Sequence, residues 1–147
     1  MAAEAGHAVT TQHLYTYGTL QAAAIIELIV GRRLQGTAAR LDGYARFRVK
    51  DRVYPAIVES AGSDVPGVIY TDLDAAELDR LDRYEGELYE RRGVSVWVGP
   101  VATPAATYVL RPEFRHRLSD QPWDLATFLR DHLDEYLALI AQTARAP

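Results

Sequence analysis

The stretch from Leu73 to Gly86 constrains this chain most, because it specifies both ends of one helix. Asp74 is an N-cap residue and Glu77 follows three positions later, an Asp version of the capping box. Leu73 before the cap and Leu78 at the fourth helical position match a hydrophobic staple, and Gly86 is a stop signal. A helix over Asp74 to Glu85 therefore has a defined apolar stripe. Leu78 and Leu81 lie on it, and Glu85 joins them seven and four residues later. Asp79, Arg80 and Arg83 point in other directions, toward water.

A carboxylate on an apolar face is costly unless it is paired or its pKa moves. Burial raises that pKa, and the negative end of the helix dipole raises it further. Such a group can take and return a proton near neutral pH, which is general acid–base chemistry. The competing reading is structural: Glu85 paired with Arg91, Arg92 or a tyrosine hydroxyl. Glu59, Glu87 and Glu90 are rival carboxylates without the helical argument. Strand alternation groups Glu87 with Tyr89 and Glu90 with Leu88, and Glu59 ends a strand where water solvates it.

The second candidate feature is Tyr17-Gly18-Thr19-Leu20. A strand over His13 to Tyr17 ends at Gly18, and an alanine-rich helix over Leu20 to Val30 begins, with Thr19 as N-cap and Gly31 as stop. The first N–H groups of a helix have no internal partner and attract anions, and glycine lets a ligand approach the backbone. A carboxylate or an oxyanion fits such a place. A plain strand–helix connection is the competing reading.

The remaining pattern is strand-rich. Gly36 to Val49, Val53 to Glu59, Val65 to Tyr70, Tyr89 to Val98 and Ala105 to Leu110 read as strands. Turn signals stand at Asp42-Gly43, Asp51 and Gly99-Pro100, with Pro104 in the last connection and a break at Pro66-Gly67. One last helix, over Pro122 to Ala141, carries Leu125, Phe128, Leu129, His132, Leu133, Tyr136, Leu137 and Ile140 as a core-facing stripe. Strands clustered with few helices between them predict an α+β fold with a mixed, mostly antiparallel sheet curled into a small barrel. Residues 1–12 read as a flexible tail and 13–147 as a single domain.

Composition excludes several classes. Net charge is −4 without a clustered positive face, which disfavours nucleic-acid binding. With no cysteine there is no disulfide, thiol nucleophile or thiolate metal site. No apolar run approaches the ~20 residues of a membrane span, and a cytoplasmic location is expected. His7, His13, His116 and His132 show no ligand spacing, so no metal site is expected. There is no G-x-S-x-G, P-loop or G-x-G-x-x-G signature. The basic stretch Arg111 to Arg117 reads as a solvated loop, with attraction of an anionic substrate as the alternative.

Taken together, Tyr17-Gly18-Thr19-Leu20, Gly43-Tyr44, Tyr54-Pro55-Ala56-Ile57-Val58, the strand Val65 to Tyr70, Leu81-Asp82-Arg83-Tyr84-Glu85-Gly86 and Tyr89-Glu90-Arg91 resemble the gamma-glutamylcyclotransferase-like family, which includes gamma-glutamylamine cyclotransferase-like proteins. The resemblance runs from Leu14 to Leu110. It implies a small β-barrel with flanking helices and conversion of a gamma-glutamyl group to 5-oxoproline with release of an amine or amino acid. It also implies Glu85 as the acid–base, substrate binding by Tyr17, Gly18, Thr19 and Leu20, and no metal or organic cofactor. Tyr54, Tyr89 and Tyr108 are pocket candidates. The expected partner is a small gamma-glutamyl substrate, with no nucleic acid or membrane, and the chain is expected as a monomer or homodimer. Gln21-Ala22-Ala23-Ala24 departs from the Pro or Gly that many family members carry there, which bears on the pocket wall. Rival functions are a non-catalytic binding module for a carboxylate-bearing metabolite, an amidase that admits water, and an interaction protein using the last helix.

Overall fold

The computed structural model describes residues 11–145. In chain order the elements are β1 (Gln12–Thr16), α1 (Ala23–Val30), β2 (Thr37–Arg48), β3 (Pro55–Leu73), α2 (Ala75–Glu85), β4 (Tyr89–Val98), β5 (Val101–Leu110), α3 (Leu125–Asp131) and α4 (Leu133–Arg145). The strands close a barrel in the order β1-β3-β2-β4-β5. Pairing is antiparallel except where β1 meets β5 in parallel at Leu14 and Ala106. The architecture is thus the α+β barrel with flanking helices expected from the sequence. No helix among the described residues is long and apolar enough to cross a membrane.

Strand alternation feeds two apolar clusters. Tyr15, Tyr17, Leu41, Ile57, Val65, Ile69, Val96 and Val109 come from all the strands and fill the barrel. Leu14, Tyr108 and Leu110 face the other way, and join Ile25, Ile26, Leu73, Leu78, Leu81 and Phe128 between barrel and helices. β2 and β4 share one register pair, Arg40 with Trp97, at one end of the barrel. The opposite end gathers the last residues of β1 and β5 and the first residues of β3 and β4.

Long-range contacts redraw several expected elements. Residues Thr19–Gln21 form a separate 3-10 turn, Ala22 is extended at φ −76° and ψ 115°, and α1 starts at Ala23. Thr19 is therefore not the N-cap of that helix. The Tyr70 hydroxyl is within bonding distance of the Leu20 and Gln21 carbonyls, groups that a continuous helix would use internally. Gly31 does end α1, at φ 87°.

The two strands expected over Val53 to Glu59 and Val65 to Tyr70 are one element of 19 residues, β3. Asp42-Gly43 is a bulge rather than a turn: Asp42 faces Asp64 while Tyr44 faces Glu59. Pro66-Gly67 remains inside β3. Glycine is required there because a Cβ at Gly67 would lie 2.2 Å from the Thr16 carbonyl oxygen of β1. Pro104 sits within β5 opposite Ser95, so only Gly99-Pro100 turns the chain.

The expected last helix bends at His132 (φ −130°, ψ −14°) into α3 and α4. The chain folds around Phe128, whose ring packs near Trp123, His132 and Tyr136. Leu129, expected on the core stripe, is 41% exposed. The stretch Pro112–Arg117 is a 3-10 segment, and the chain on either side of Leu118 is tied to the end of β2. Lys50 N–H donates to the Arg117 carbonyl, and Ser119 N–H to that of Arg48. Its charged side chains are exposed, but its backbone is not a free loop. The tail read over residues 1–12, His7 included, lies outside the described residues except for Thr11 and Gln12, and Gln12 already belongs to β1.

The helix that the sequence specifies best forms with both halves of its capping box. Asp74 Oδ1 accepts from Glu77 N–H at 2.8 Å, and Glu77 Oε1 accepts from Asp74 N–H at 2.9 Å. Leu73 and Leu78 enter the same cluster. Glu77 is 4% exposed and forms an ion pair with Arg32, which holds its carboxyl below the usual range. Asp74→Ala is expected to destabilise the fold by about 1 kcal/mol. A lower urea midpoint with an unchanged m-value would establish this.

Candidate active site

Glu85 is the last residue of α2, one position before Gly86 turns the chain at φ 75°. Leu78 and Leu81 are buried on the same stripe, and Glu85 is partly buried beside them. Burial, followed by the nearby charge of Asp82, pushes its pKa from the ordinary 4.5 up to about 8.

The structural reading of Glu85 requires a partner, and both arginines and four of the tyrosines near it send their donors elsewhere. Arg91 binds Asp82 and Gln12, and Arg92 binds Glu59 and Glu90. The Tyr17 hydroxyl donates to the Tyr108 carbonyl at 2.6 Å, and that of Tyr89 to the Pro55 carbonyl at 2.7 Å. Tyr108 donates to Asp82 at 2.7 Å, and Tyr84 to the Tyr136 oxygen at 3.1 Å. Among the described residues nothing pairs with or hydrogen-bonds to the Glu85 carboxyl. Its negative charge nevertheless opposes ionisation of Tyr17, Tyr84, Tyr89, Tyr108 and Tyr136, so these rings surround it.

The same residues line a cavity of about 120 Å³ at the barrel end described above. Tyr17, Gly18, Thr19 and Leu20 form one side, and Tyr54, Glu85 and Tyr89 also line it. All the site candidates read from the sequence thus face one space. Its volume is well below the roughly 300–1,000 Å³ of pockets for drug-sized ligands. It suits a small headgroup, with any remainder of the ligand outside.

The loop is held by close packing and by a cation. A Cβ on Gly18 would stand 2.9 Å from both Cδ and Cγ of Pro55, so a larger residue must displace that ring. Arg46 Nη1 donates to the Tyr17 carbonyl at 2.8 Å and to that of Pro66 at 3.2 Å, with its guanidinium over the Trp123 ring. In the 3-10 turn, Gln21 and Ala22 N–H bond to the Gly18 and Thr19 carbonyls. Among the described residues the N–H groups of Gly18, Thr19 and Leu20 donate to nothing. Free amides next to a fixed positive charge favour an anion.

The rival carboxylates lie outside this arrangement. Glu59 and Glu90 pair with Arg92, and Glu87 is exposed. Among the described residues no three His, Asp or Glu side chains are grouped as metal ligands. Sequence reasoning missed Tyr84 and Tyr136 as cavity residues. Tyr84 lies three residues after Leu81, at the edge of the stripe, which was a usable signal. Tyr136 was read as core, because periodicity identifies a face and not what it faces.

The family model described as gamma-glutamyl cyclotransferase, AIG2-like, matches residues 14–125. AIG2-like protein D of Arabidopsis thaliana is 29% identical over 144 residues, spanning 92% of this chain and 91% of that protein. The solution structure of an Arabidopsis thaliana protein superposes with a TM-score of 0.70 at 27% identity, covering 92% of this chain and 82% of its own. A structure titled gamma-glutamyl cyclotransferase shares the fold, with a TM-score of 0.62 at 15% identity over 90% of this chain and 87% of its own.

The raised pKa of Glu85 has a consequence for stability. Between 4.5 and about 8 the folded protein retains a proton that the unfolded chain has released. The folded state binds more protons there, so stability falls as pH rises through that window. Glu85→Gln removes this dependence. Its melting temperature relative to wild type is expected to be higher at pH 9 than at pH 5, which paired thermal melts at the two pH values would reveal.

Proposed function

The chain belongs to the gamma-glutamyl cyclotransferase, AIG2-like family, and on that premise we propose that it converts a gamma-glutamyl substrate to 5-oxoproline and releases an amine or amino acid. The observation that carries this reading is the unpaired Glu85 carboxyl in one cavity with the free amides of the Tyr17–Leu20 loop. In this scheme the amides hold the substrate's alpha-carboxylate. The substrate's alpha-ammonium comes to rest beside Glu85. That positive charge favours the ionised carboxylate, which lowers the Glu85 pKa from its resting value.

Glu85 then takes one proton from the ammonium. The freed amine attacks the gamma-carbonyl carbon, a C–N bond forms, and a five-membered tetrahedral intermediate carries the negative charge on oxygen. Glu85 returns that proton to the departing nitrogen and takes the second proton of the ring nitrogen, the original C–N bond breaks, 5-oxoproline leaves, and the last proton passes from Glu85 to the released amine, which departs as an ammonium ion. Nucleophile and electrophile belong to one molecule, so the protein supplies position and a proton carrier rather than a nucleophile of its own. This suits a pocket with no cysteine and a single uncommitted carboxyl.

The test is 5-oxoproline release from a panel of gamma-glutamyl amino acids, peptides and amines, with wild type beside Glu85→Gln. Product from wild type and a loss of at least about 100-fold in the variant are expected, at the lower end of general acid–base contributions. Free glutamate in place of 5-oxoproline would indicate attack by water, and equal turnover by both proteins would remove Glu85 as the base. Gly18→Ala is expected to lower kcat/KM by on the order of 100-fold, because the methyl displaces the loop from Pro55. Steady-state kinetics on the best substrate of the panel checks this.

A further inference from the structure

The end of β1 leaves a carbonyl that no strand takes up, and a cation takes it instead. The pairing of β1 with β3 stops at Thr16 and Val68. Two residues further on, the same register would set Gly18 opposite Pro66, which has no N–H to continue the ladder. Arg46 of β2 fills the gap. Its Nη1 donates to the Tyr17 carbonyl at 2.8 Å and to the Pro66 carbonyl at 3.2 Å, so it bridges the two strands where they part. Its Cζ lies 5.3 Å from the centroid of the Trp123 ring, and Trp123 is itself fixed by donating its Nε1–H to the Val53 carbonyl at 2.7 Å. Among the described residues no carboxylate lies within ion-pair distance of Arg46.

Holding that carbonyl also fixes the other half of the peptide. The Tyr17–Gly18 peptide is trans, so its C=O and N–H point in opposite directions. With the carbonyl turned toward Arg46, the Gly18 N–H is turned away from it. Gly18 lines the cavity and Arg46 does not, and among the described residues the Gly18 N–H donates to nothing. A cation on the carbonyl also draws electron density through the peptide, which makes its N–H a stronger donor. Glycine by itself would leave this peptide plane loose, so the restraint has to come from outside the loop. Arg46 belongs to none of the motifs on which the family resemblance rests.

We propose that Arg46 is a positioning residue for the ligand's carboxylate: it orients and polarises the Tyr17–Gly18 peptide so that the Gly18 N–H meets that carboxylate. This rests on the reading of the loop as a carboxylate cradle. Arg46 touches no ligand atom and acts only through the peptide. Trp123, from the chain just before α3, supports the guanidinium, so the segment after the barrel contributes to the site at second hand. The amide contact is made in ground state and transition state alike, so Arg46 acts on binding rather than on the chemical step.

Calorimetric titration with 5-oxoproline and with 2-pyrrolidinone, the same ring without its carboxylate, tests this in wild type, Arg46→Met and Arg46→Lys, with thermal melts to verify folding. Arg46→Met removes donor and charge, while Arg46→Lys keeps a charge without the planar fork. We expect Arg46→Met to bind 5-oxoproline about tenfold more weakly and 2-pyrrolidinone unchanged, with Arg46→Lys between it and wild type. In nitrogen–proton NMR spectra the Gly18 amide should shift when 5-oxoproline binds to wild type, and its proton resonance should lie upfield in ligand-free Arg46→Met. A role in holding the fold alone would weaken both lactams together. That result, no weakening of 5-oxoproline, a Gly18 amide indifferent to it, or a wild type that does not prefer the carboxylate-bearing ring would overturn the proposal. Where Arg46→Met does not fold, the same comparison between wild type and Arg46→Lys decides. Lack of turnover by wild type, with the lactam discrimination intact, would overturn the cyclotransferase reading and leave Arg46 as the positioning residue of a carboxylate-binding loop.

Discussion

The site depends on where the tyrosine hydroxyls around Glu85 send their protons. Tyr17 and Tyr89 use backbone carbonyls, Tyr108 uses Asp82, and Tyr84 uses Tyr136. Each bond satisfies a polar group in an apolar setting, where an unsatisfied one is expensive. Each also denies a donor to Glu85. Had one of these hydroxyls turned to the carboxylate, it would have stabilised the charged form and lowered the pKa. The raised value is therefore a property of the whole ring of aromatic residues. The barrel holds that ring in place, because the bonds of Tyr17, Tyr89 and Tyr108 link β1, β3, β4, β5 and α2.

Helix α2 carries two carboxylates in its last turn with opposite fates. Asp82 accepts from Tyr108 and pairs with Arg91, so its charge is compensated. Glu85, three residues on, has no such partner and feels the charge of Asp82. The capping box at the other end sets where the helix begins, and the buried Leu78 and Leu81 set its rotation. These contacts are far from any reacting atom, yet they determine which acidic residue enters the cavity.

Legibility followed the range of the interactions. The ends of α2 and the direction of Glu85 could be read from the sequence because caps and helical period act within a few residues. The end of the first strand before Gly18 was legible for the same reason, but the helix expected to follow directly with Thr19 as its N-cap is a separate 3-10 turn. The break at Ala22 was not legible, since it reflects the Tyr70 hydroxyl, about 50 residues away in sequence, bonding to carbonyls a helix would need. The bend at His132 likewise follows packing around Phe128, and Pro66-Gly67 stays in a strand because β1 passes close beside it. The stripe on the last helix identified Tyr136 as inward-facing. That its oxygen meets Tyr84 at a cavity depended on how α4 docks.

A carboxyl buried without a partner lowers the stability of the fold at neutral and higher pH, and several cheaper arrangements stand within reach of this sequence. An arginine already lies nine residues from Asp82 and six from Glu85, yet it pairs with the former. Natural folds tolerate such a cost at sites where the strained group has work to do. On the proposed reaction the missing partner is the substrate's ammonium. Its arrival would neutralise the carboxylate, stabilise the complex and place the proton donor and acceptor in contact at once. A protein-bound cation in that place would stabilise the resting fold, hold the carboxylate at low basicity and exclude the substrate by charge. On that reading the cavity beside Glu85 serves binding and proton transfer together, and the bonds of Tyr17, Tyr84, Tyr89 and Tyr108 keep their hydroxyls from the carboxylate.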